Sequence, residues 1–308
     1  MSLLVTGVAV GQVVGANEVI PVPAPTSDRG RWTDGPGRLR VETEVNGVKL
    51  RGWDYKAEPT AVAQAEMMRG QRGVTSHGSE LSKRSEGPIT STAAAGTVAD
   101  RSVPVVVFFN GNLMTIDRSD ELYRRLTGLG LEVVAYDYRG YGFSDGQPDV
   151  GSFRTDALAI FDKVEKEYAG RPLLVYGFSL GTAMAAYVAS ERKVHGVVLA
   201  APFATAEEEL PVFARRLGFG AEAIRTMVPA EDAKLAFNEV GMMRRSSAPL
   251  LVMSGTSDML VPAAQGRRVM EASAATVKRF VELRGVQHHE TVFVSAAWQA
   301  LVEFLRKL

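Results

Sequence analysis

The residues best suited to chemistry lie in a Gly-x-Ser-x-Gly pattern, Gly177-Phe178-Ser179-Leu180-Gly181. A short apolar run precedes this pattern, and a stretch of small residues, Thr182 to Ala186, follows it. A strand, a sharp turn and a helix in that order expose a serine hydroxyl at the tip of the turn. The two glycines let the strand and the helix approach closely, and the Leu180 amide can point at a developing oxyanion. This context favours Ser179 as a nucleophile over an ordinary turn with a chance serine.

A serine hydroxyl needs a base to accept its proton, and the chain holds four histidines: His77, His195, His288 and His289. His77 lies in a polar stretch upstream of the serine, and His195 lies between a predicted helix and a strand, where capping or solvation is more usual. His288 and His289 follow the last predicted strand, where a loop can reach the serine. Two adjacent side chains cannot both face Ser179, and the Gly-x-x-His spacing after that strand favours His288.

The acid that orients such a base is expected between the serine and the histidine in chain order, after a strand. The run Glu207-Glu208-Glu209 is typical of a solvated helix face. Asp258 stands alone after a predicted strand and just before Val261-Pro262, which opens a helix. A carboxylate there would orient the imidazole and stabilise its protonated form. We therefore predict Asp258 as the acid, with a helix-capping aspartate as the alternative.

A second oxyanion donor is expected after the first parallel strand, in Asn110-Gly111-Asn112-Leu113. The glycine lets the backbone fold beneath the carbonyl of a substrate. The N–H of Asn112, or alternatively that of Leu113, is the predicted donor, together with the N–H of Leu180.

Strands that alternate with helices must position these residues, which indicates an α/β fold with a mainly parallel sheet covered by helices on both faces. An antiparallel hairpin around Asn46-Gly47 is expected to open the sheet over Leu39 to Tyr55. The predicted strands are Val105–Phe109, Val133–Tyr138, Leu173–Tyr176, Val197–Ala200, Leu250–Met253 and Val277–Val281. The predicted helices are Ser119–Gly130, with Ser119 as its cap, Phe153–Tyr168 and Thr291–Leu308.

Composition divides the chain into an irregular lead-in, residues 1–38, and one domain, residues 39–308. A polar insertion, residues 57–102, interrupts the domain and is predicted to be disordered rather than a lid. Residues 203–247 hold more apolar side chains than a crossover helix needs. They are predicted to form either a small cap over the site or an ordinary packed helical connection.

The composition also limits the classes of partner. The formal net charge is zero, which gives no indication of a nucleic-acid partner. The chain has no cysteine, which excludes thiol catalysis and zinc sites built on cysteine. No segment approaches the about 20 apolar residues of a membrane span. The start of the chain lacks a basic segment, so a cytoplasmic location is expected, with a degenerate export signal as the alternative.

Taken together, these motifs resemble the α/β-hydrolase superfamily, and within it the branch of serine hydrolases related to serine-aminopeptidase-like proteins. The resemblance covers roughly residues 39–308. It is carried by Asn110-Gly111-Asn112, Asp137-Tyr138-Arg139-Gly140-Tyr141-Gly142-Phe143-Ser144, Gly177 to Gly181, Ala201-Pro202-Phe203, Ser254 to Asp258 with Val261-Pro262, and Gly285 to His288.

The resemblance implies a serine hydrolase with a small-molecule acyl substrate and no metal or cofactor. An ester or thioester is the expected substrate; an amidase or aminopeptidase, an acyl-transfer or haloperoxidase-like enzyme, and a silent binding protein are the alternatives. Two departures bear on substrate preference: Asn110 stands where the family usually has histidine, and His289-Glu290 replaces the usual Asn-Asp. Asp137 and Arg139 are expected to form a structural ion pair.

Overall fold

A computed structural model describes residues 29–58, 103–216, 220 and 231–308 of the chain. Within these ranges eight strands form one sheet in the order β1-β2-β4-β3-β5-β6-β7-β8. The hairpin β1-β2 is antiparallel and pairs with β4 in antiparallel register, whereas all the remaining neighbours are parallel. The predicted fold class, a mainly parallel sheet opened by an antiparallel hairpin, is confirmed.

The strands are β1 Arg38–Val45, β2 Val48–Tyr55, β3 Val105–Phe109, β4 Glu132–Tyr136, β5 Leu173–Phe178, β6 Gly196–Ala200, β7 Leu250–Gly255 and β8 Lys278–Leu283. The helices, numbered along the described residues, are α1 Asp120–Thr127, α2 Phe153–Glu167, α3 Leu180–Glu191, α4 Ala206–Arg216, α5 Glu231–Ala236, α6 Glu239–Met243, α7 Ala263–Ala272 and α8 Ser295–Leu305. Short 3₁₀ turns occupy Arg29–Arg31, Val150–Ser152 and His288–Val292.

The sheet separates two hydrophobic layers. Successive side chains of a strand point to opposite faces, so Val105, Val107 and Phe109 of β3 enter one layer. Val106 and Phe108 enter the other. The first layer packs under α2, α3 and α7, and the second packs under α1 and α8. Strands β3 to β7 are buried on both faces, which explains why their sequences are continuous apolar runs rather than alternating ones.

Two predicted helices differ from the observed ones at their ends. Ser119 stands at the N-cap position of α1, but its hydroxyl donates to the Thr115 carbonyl at 2.9 Å and accepts no helix N–H, and α1 ends at Thr127 instead of Gly130. The closing helix begins at Ser295 rather than Thr291. The four residues before it are the last two of a 3₁₀ turn, the residue Phe293 that ends this turn, and the extended Val294, because the loop after β8 must first bring His288 to the sheet edge.

The predicted ion pair of the turn after β4 is formed with a different carboxylate. Arg139 binds Asp156 of α2 through two hydrogen bonds, Nε to Oδ2 at 2.7 Å and Nη2 to Oδ1 at 2.5 Å. Asp137 instead accepts the backbone N–H groups of Ile116 and Phe143. The prediction of an Asp137–Arg139 pair is therefore wrong, because the Asp137 carboxyl points into the loops at the sheet edge.

The predicted domain segments are described only in part. Residues 1–28 of the lead-in and residues 59–102 of the insertion lie outside the described residues, as do residues 217–219 and 221–230 of the segment 203–247. Arg38, counted in the lead-in, already belongs to β1. Residues 231–243 pack against the core: the Phe237 ring contacts the rings of Phe153 and Phe203 at centroid distances of 6.1 and 5.7 Å.

We predict that Arg139→Met lowers the free energy of unfolding by about 3–5 kcal/mol, because it leaves the buried Asp156 carboxylate unpaired. Arg192→Met is the matched control: it removes a two-bond pair with Asp162 that is 35% and 45% exposed, and its cost is about 1 kcal/mol or less. Urea unfolding followed by circular dichroism measures both variants. Equal losses in the two variants would contradict a structural role for the buried pair.

Candidate active site

Ser179 stands at the turn between β5 and α3 in a backbone conformation that non-glycine residues rarely adopt. Its φ is 50° and its ψ is −120°. A residue held in such a region costs about 1–3 kcal/mol and persists only where its surroundings fix it. The Ser179 N–H donates to the Ala200 carbonyl at 2.9 Å, which ties the turn to the end of β6. The predicted strand, turn and helix around the serine are confirmed.

Both glycines of the pattern are required by close backbone contacts. A Cβ atom on Gly177 would lie 2.4 Å from the Gly181 carbonyl oxygen. One on Gly181 would lie 2.0 Å from the Phe109 carbonyl oxygen at the end of β3. These distances are far below van der Waals contact, so no side chain fits at either position. The strand β5 and the helix α3 can meet at this angle only without those side chains.

His288 and Asp258 form a continuous hydrogen-bonded chain with Ser179. The His288 Nε2 atom lies 2.8 Å from Ser179 Oγ, and its Nδ1 atom lies 2.7 Å from Asp258 Oδ2. Asp258 Oδ1 accepts the N–H groups of Leu260 and Val261 at 2.9 and 2.8 Å. The Asp258 side chain is 0% exposed and that of His288 is 15% exposed. The hydrogen bonds from the backbone amides and the imidazole thus replace those that the buried carboxylate would make with water.

The other histidines lie apart from this chain of contacts. His289 is exposed although it is the neighbour of His288. The His195 ring accepts the Leu173 N–H at 3.1 Å at the start of β5, the end of the strand away from Ser179. His77 lies outside the described residues. Among the described histidines, His288 alone contacts both Ser179 and Asp258.

The turn from Gly177 to Gly181, which carries Ser179 between β5 and α3, is called the elbow below. The loop after β3 approaches the elbow because β3 and β5 are neighbours, with Phe109 paired to Gly177. Asn110 is buried, and its carbonyl groups accept two tyrosine hydroxyls, from Tyr123 to the side chain and from Tyr138 to the backbone. The Asn112 side chain accepts the Tyr141 hydroxyl at 2.7 Å. These contacts fix the loop that carries the predicted donor Asn112.

Leu180 is the first residue of α3, where backbone N–H groups have no acceptor within the helix. The positive end of the helix dipole therefore lies beside Ser179 Oγ. Leu113, the alternative donor of the loop after β3, has an exposed side chain.

Buried or partly buried carboxyl groups lie on the side of the sheet edge that carries Ser179, and two of them are not predicted from the sequence. Glu209 was expected on a solvated face, but its Oε2 accepts the Gln265 Nε2–H at 3.0 Å, and burial raises its pKa to about 7. Glu239, at the start of α6, is fully buried and contacts the Thr182 hydroxyl. A sequence signal for Glu239 exists only in its apolar neighbours, Val240, Met242 and Met243. Asp137 is also buried, which raises its pKa to about 7.

Two further features of the described residues concern cofactors and membranes. No group of three or more histidine, aspartate or glutamate side chains in this part of the chain is arranged to hold a metal ion. Among the described helices, none combines the length and apolar character needed to cross a membrane.

Known proteins share this sequence pattern and this fold. The family described as serine aminopeptidase, S33, matches residues 100–237. The lysophosphatidylserine lipase ABHD12 of Danio rerio is 29% identical over 56% of this chain and 48% of its own length. An uncharacterized protein of Mycobacterium tuberculosis is 32% identical over 61% of this chain and 64% of its own. The esterase Pf2001 of Pyrococcus furiosus superposes with a TM-score of 0.60 at 19% identity, covering 93% of this chain and 98% of that structure.

The chain has the α/β-hydrolase fold, and it is similar in sequence and structure to members of that superfamily. It spans about half the length of the lipase relatives that it matches. The likeness to the Pyrococcus esterase concerns the fold. In this chain the elbow, the loop after β3, the loop after β7 and the loop after β8 all lie at one edge of the sheet.

We predict that Gly181→Ala lowers the free energy of unfolding by about 3 kcal/mol or more. The new methyl group overlaps the Phe109 carbonyl, so α3 must move away from β3. Gly35→Ala is the matched control, since its Cβ would meet only the flexible Arg38 side chain, at 3.3 Å. Thermal unfolding compares the two variants with the parent chain. Indistinguishable melting temperatures for all three proteins would contradict the close packing at the elbow.

Proposed function

We propose that this α/β-hydrolase is a serine hydrolase that cleaves a carboxylic ester or thioester through an acyl-enzyme intermediate. The observation that carries the proposal is the unbroken hydrogen-bonded chain from Ser179 Oγ through the His288 imidazole to Asp258. In this assignment Ser179 is the nucleophile, His288 the general base and Asp258 the residue that orients the base.

In the first half of the reaction, Ser179 Oγ attacks the carbonyl carbon of the substrate while its proton passes to His288 Nε2. Asp258 stabilises the imidazolium through the His288 Nδ1–H bond, and the amides of Leu180 and Asn112 bind the oxyanion. As the tetrahedral intermediate collapses, His288 returns the proton to the leaving alkoxide or thiolate, and the alcohol or thiol departs. The acyl group remains bonded to Ser179 Oγ.

In the second half, a water molecule takes the place of the leaving group. His288 Nε2 accepts a proton from the water as its oxygen attacks the acyl carbon, and the same two amides bind the second oxyanion. The Ser179 Oγ–acyl bond then breaks, the proton returns to Oγ, and a carboxylic acid is released. The cycle needs no group outside the chain, the substrate and water.

We propose that the substrate carries an apolar acyl group. Lipase and esterase relatives support this assignment. So do two exposed apolar side chains next to proposed site residues, Leu113 beside Asn112 and Met259 beside Asp258, which are 60% and 72% exposed. We propose that residues 203–247 contribute a small cap to this acyl site. Short-to-medium acyl esters are the proposed preference over acetates, since each buried methylene contributes about 0.8 kcal/mol.

An amidase or aminopeptidase is the second candidate, and the family described as serine aminopeptidase, S33, favours it. The two candidates use the same three side chains and differ in the leaving group. A panel of acyl esters, thioesters and aminoacyl amides on the purified protein separates them. Faster turnover of the amides would replace the esterase assignment.

We predict that Ser179→Ala keeps the fold and lowers kcat by about 10³-fold or more on the preferred ester, because only the oxyanion donors and substrate binding remain. A fluorophosphonate probe is expected to label the parent chain at Ser179 and to leave the variant unlabelled. Labelling detected by mass spectrometry at another serine, or turnover by the variant near that of the parent, would contradict the assignment.

The adjacent histidines provide an internal control for the base. His288→Ala is expected to lose activity to the extent of Ser179→Ala, because no other described imidazole contacts the serine. His289→Ala is expected to retain most of the activity, since its side chain is exposed. Steady-state kinetics of both variants on one ester makes the comparison. The opposite order of activities would assign the base to His289.

A further inference from the structure

A buried polar cluster lies directly behind the nucleophile turn and takes no part in the proposed chemistry. It consists of Glu239, the first residue of α6, and Thr182, in the first turn of α3; both are fully buried, at 0% exposure. The Thr182 Oγ1 atom lies 2.6 Å from Glu239 Oε1 and 2.5 Å from the Ser179 carbonyl oxygen. The Thr182 N–H donates to that same carbonyl at 2.8 Å. The cluster therefore ends on the backbone of Ser179.

Counting protons decides the charge of this cluster. Two oxygen atoms lie within hydrogen-bonding distance of each other only when a proton lies between them, because their lone pairs otherwise repel. The Ser179 carbonyl has no proton to give, so the Thr182 hydroxyl must supply the proton of that contact. The hydroxyl has no second proton for Glu239. The proton of the Thr182–Glu239 contact must therefore belong to the carboxyl group.

The surroundings of Glu239 agree with this count. Burial raises the pKa of Glu239 well above its ordinary value, and the nearby Glu209 carboxyl raises it further. The Thr182 hydroxyl and the Phe203 amide oppose this rise, but their effect is smaller than that of burial. The second carboxyl oxygen, Oε2, has no hydrogen-bond partner. An ionised carboxylate would leave this buried oxygen without a hydrogen-bond donor.

We propose that Glu239 is a neutral carboxylic acid that donates its proton to Thr182 Oγ1, so that the Thr182 hydroxyl donates to the Ser179 carbonyl and holds the nucleophile turn in its strained conformation. Glu239 and Thr182 are then positioning residues that act through the backbone of Ser179. The effect on catalysis rests on the proposed function, whereas the protonation of Glu239 is independent of it. An ionised Glu239 would compete with the Ser179 carbonyl for the single hydroxyl proton of Thr182.

The protonation of Glu239 is tested by infrared difference spectroscopy between the parent chain and Glu239→Gln at neutral pH. The expected spectrum contains the carbonyl band of a protonated carboxylic acid, which the variant lacks. Glu208→Gln is the matched control: this carboxylate pairs with Arg268 at the surface, so its removal is expected to change only the carboxylate bands. A Glu239 difference spectrum with carboxylate bands and no acid band would overturn the proposal, whatever the activity of the protein.

The positioning role is tested by the kinetics of three variants. Glu239→Gln keeps kcat within about threefold of the parent value, because the neutral amide also donates to Thr182 Oγ1. Thr182→Val has nearly the shape of threonine but lacks the hydroxyl, and we expect kcat to fall about tenfold or more with KM little changed. Thr182→Ser restores the donor and is expected to recover most of that loss.

The rate of fluorophosphonate labelling at Ser179, measured on protein shown to be folded by circular dichroism, separates positioning from stability. Thr182→Val is expected to label more slowly than Thr182→Ser even where both are fully folded. A Glu239→Gln variant that loses kcat by more than tenfold would show that a charged carboxylate is required and would overturn the proposal. So would equal labelling rates for the two Thr182 variants. Failure of the serine assignment itself would appear instead as turnover by Ser179→Ala.

Discussion

The close approach of β3, β5 and α3 is the constraint on which the site depends. The helix begins immediately after Ser179, and its first turn passes so near the end of β3 that only hydrogen fits at Gly181. The turn between strand and helix can then be a single residue, and that residue must take a positive φ. The strain is compensated by contacts from three directions: the Ala200 carbonyl, the Thr182 amide and hydroxyl, and the packing of α3 on the sheet. These contacts fix the backbone of Ser179, and its hydroxyl therefore lies at the sheet edge.

Three buried carboxyl groups lie near this edge, and each has a different set of hydrogen-bond donors around it. Asp258 accepts two backbone N–H groups and contacts the His288 imidazole. Asp137 receives two backbone amides but no cation, and it binds two loops together. Glu239 contacts the Thr182 hydroxyl, has one oxygen without a hydrogen-bond partner, and serves as a donor in our proposal. The number and kind of hydrogen-bond donors, rather than the residue type, thus distinguish these three carboxyl groups.

The family match covers residues 100–237, which include β3 to β6, the elbow and the first part of the segment 203–247. The second half of that segment packs against α3 through the contact of Glu239 with Thr182. A change in this segment can therefore affect both the proposed acyl site and the position of Ser179.

The sequence by itself determined the features that depend on local chain chemistry. The hairpin at Asn46-Gly47, the apolar runs of β3 to β7 and the glycines around Ser179 each follow from the backbone freedom or the burial that those residue types require. The order of the motifs along the chain also led to Asp258 and His288, because loops after parallel strands meet at one edge. Only the tertiary structure decided which partners meet across the fold. Arg139 pairs with Asp156 rather than Asp137, Glu209 turns inward, and Glu239 reaches the elbow, because these contacts join segments far apart in sequence whose relative placement no local pattern encodes.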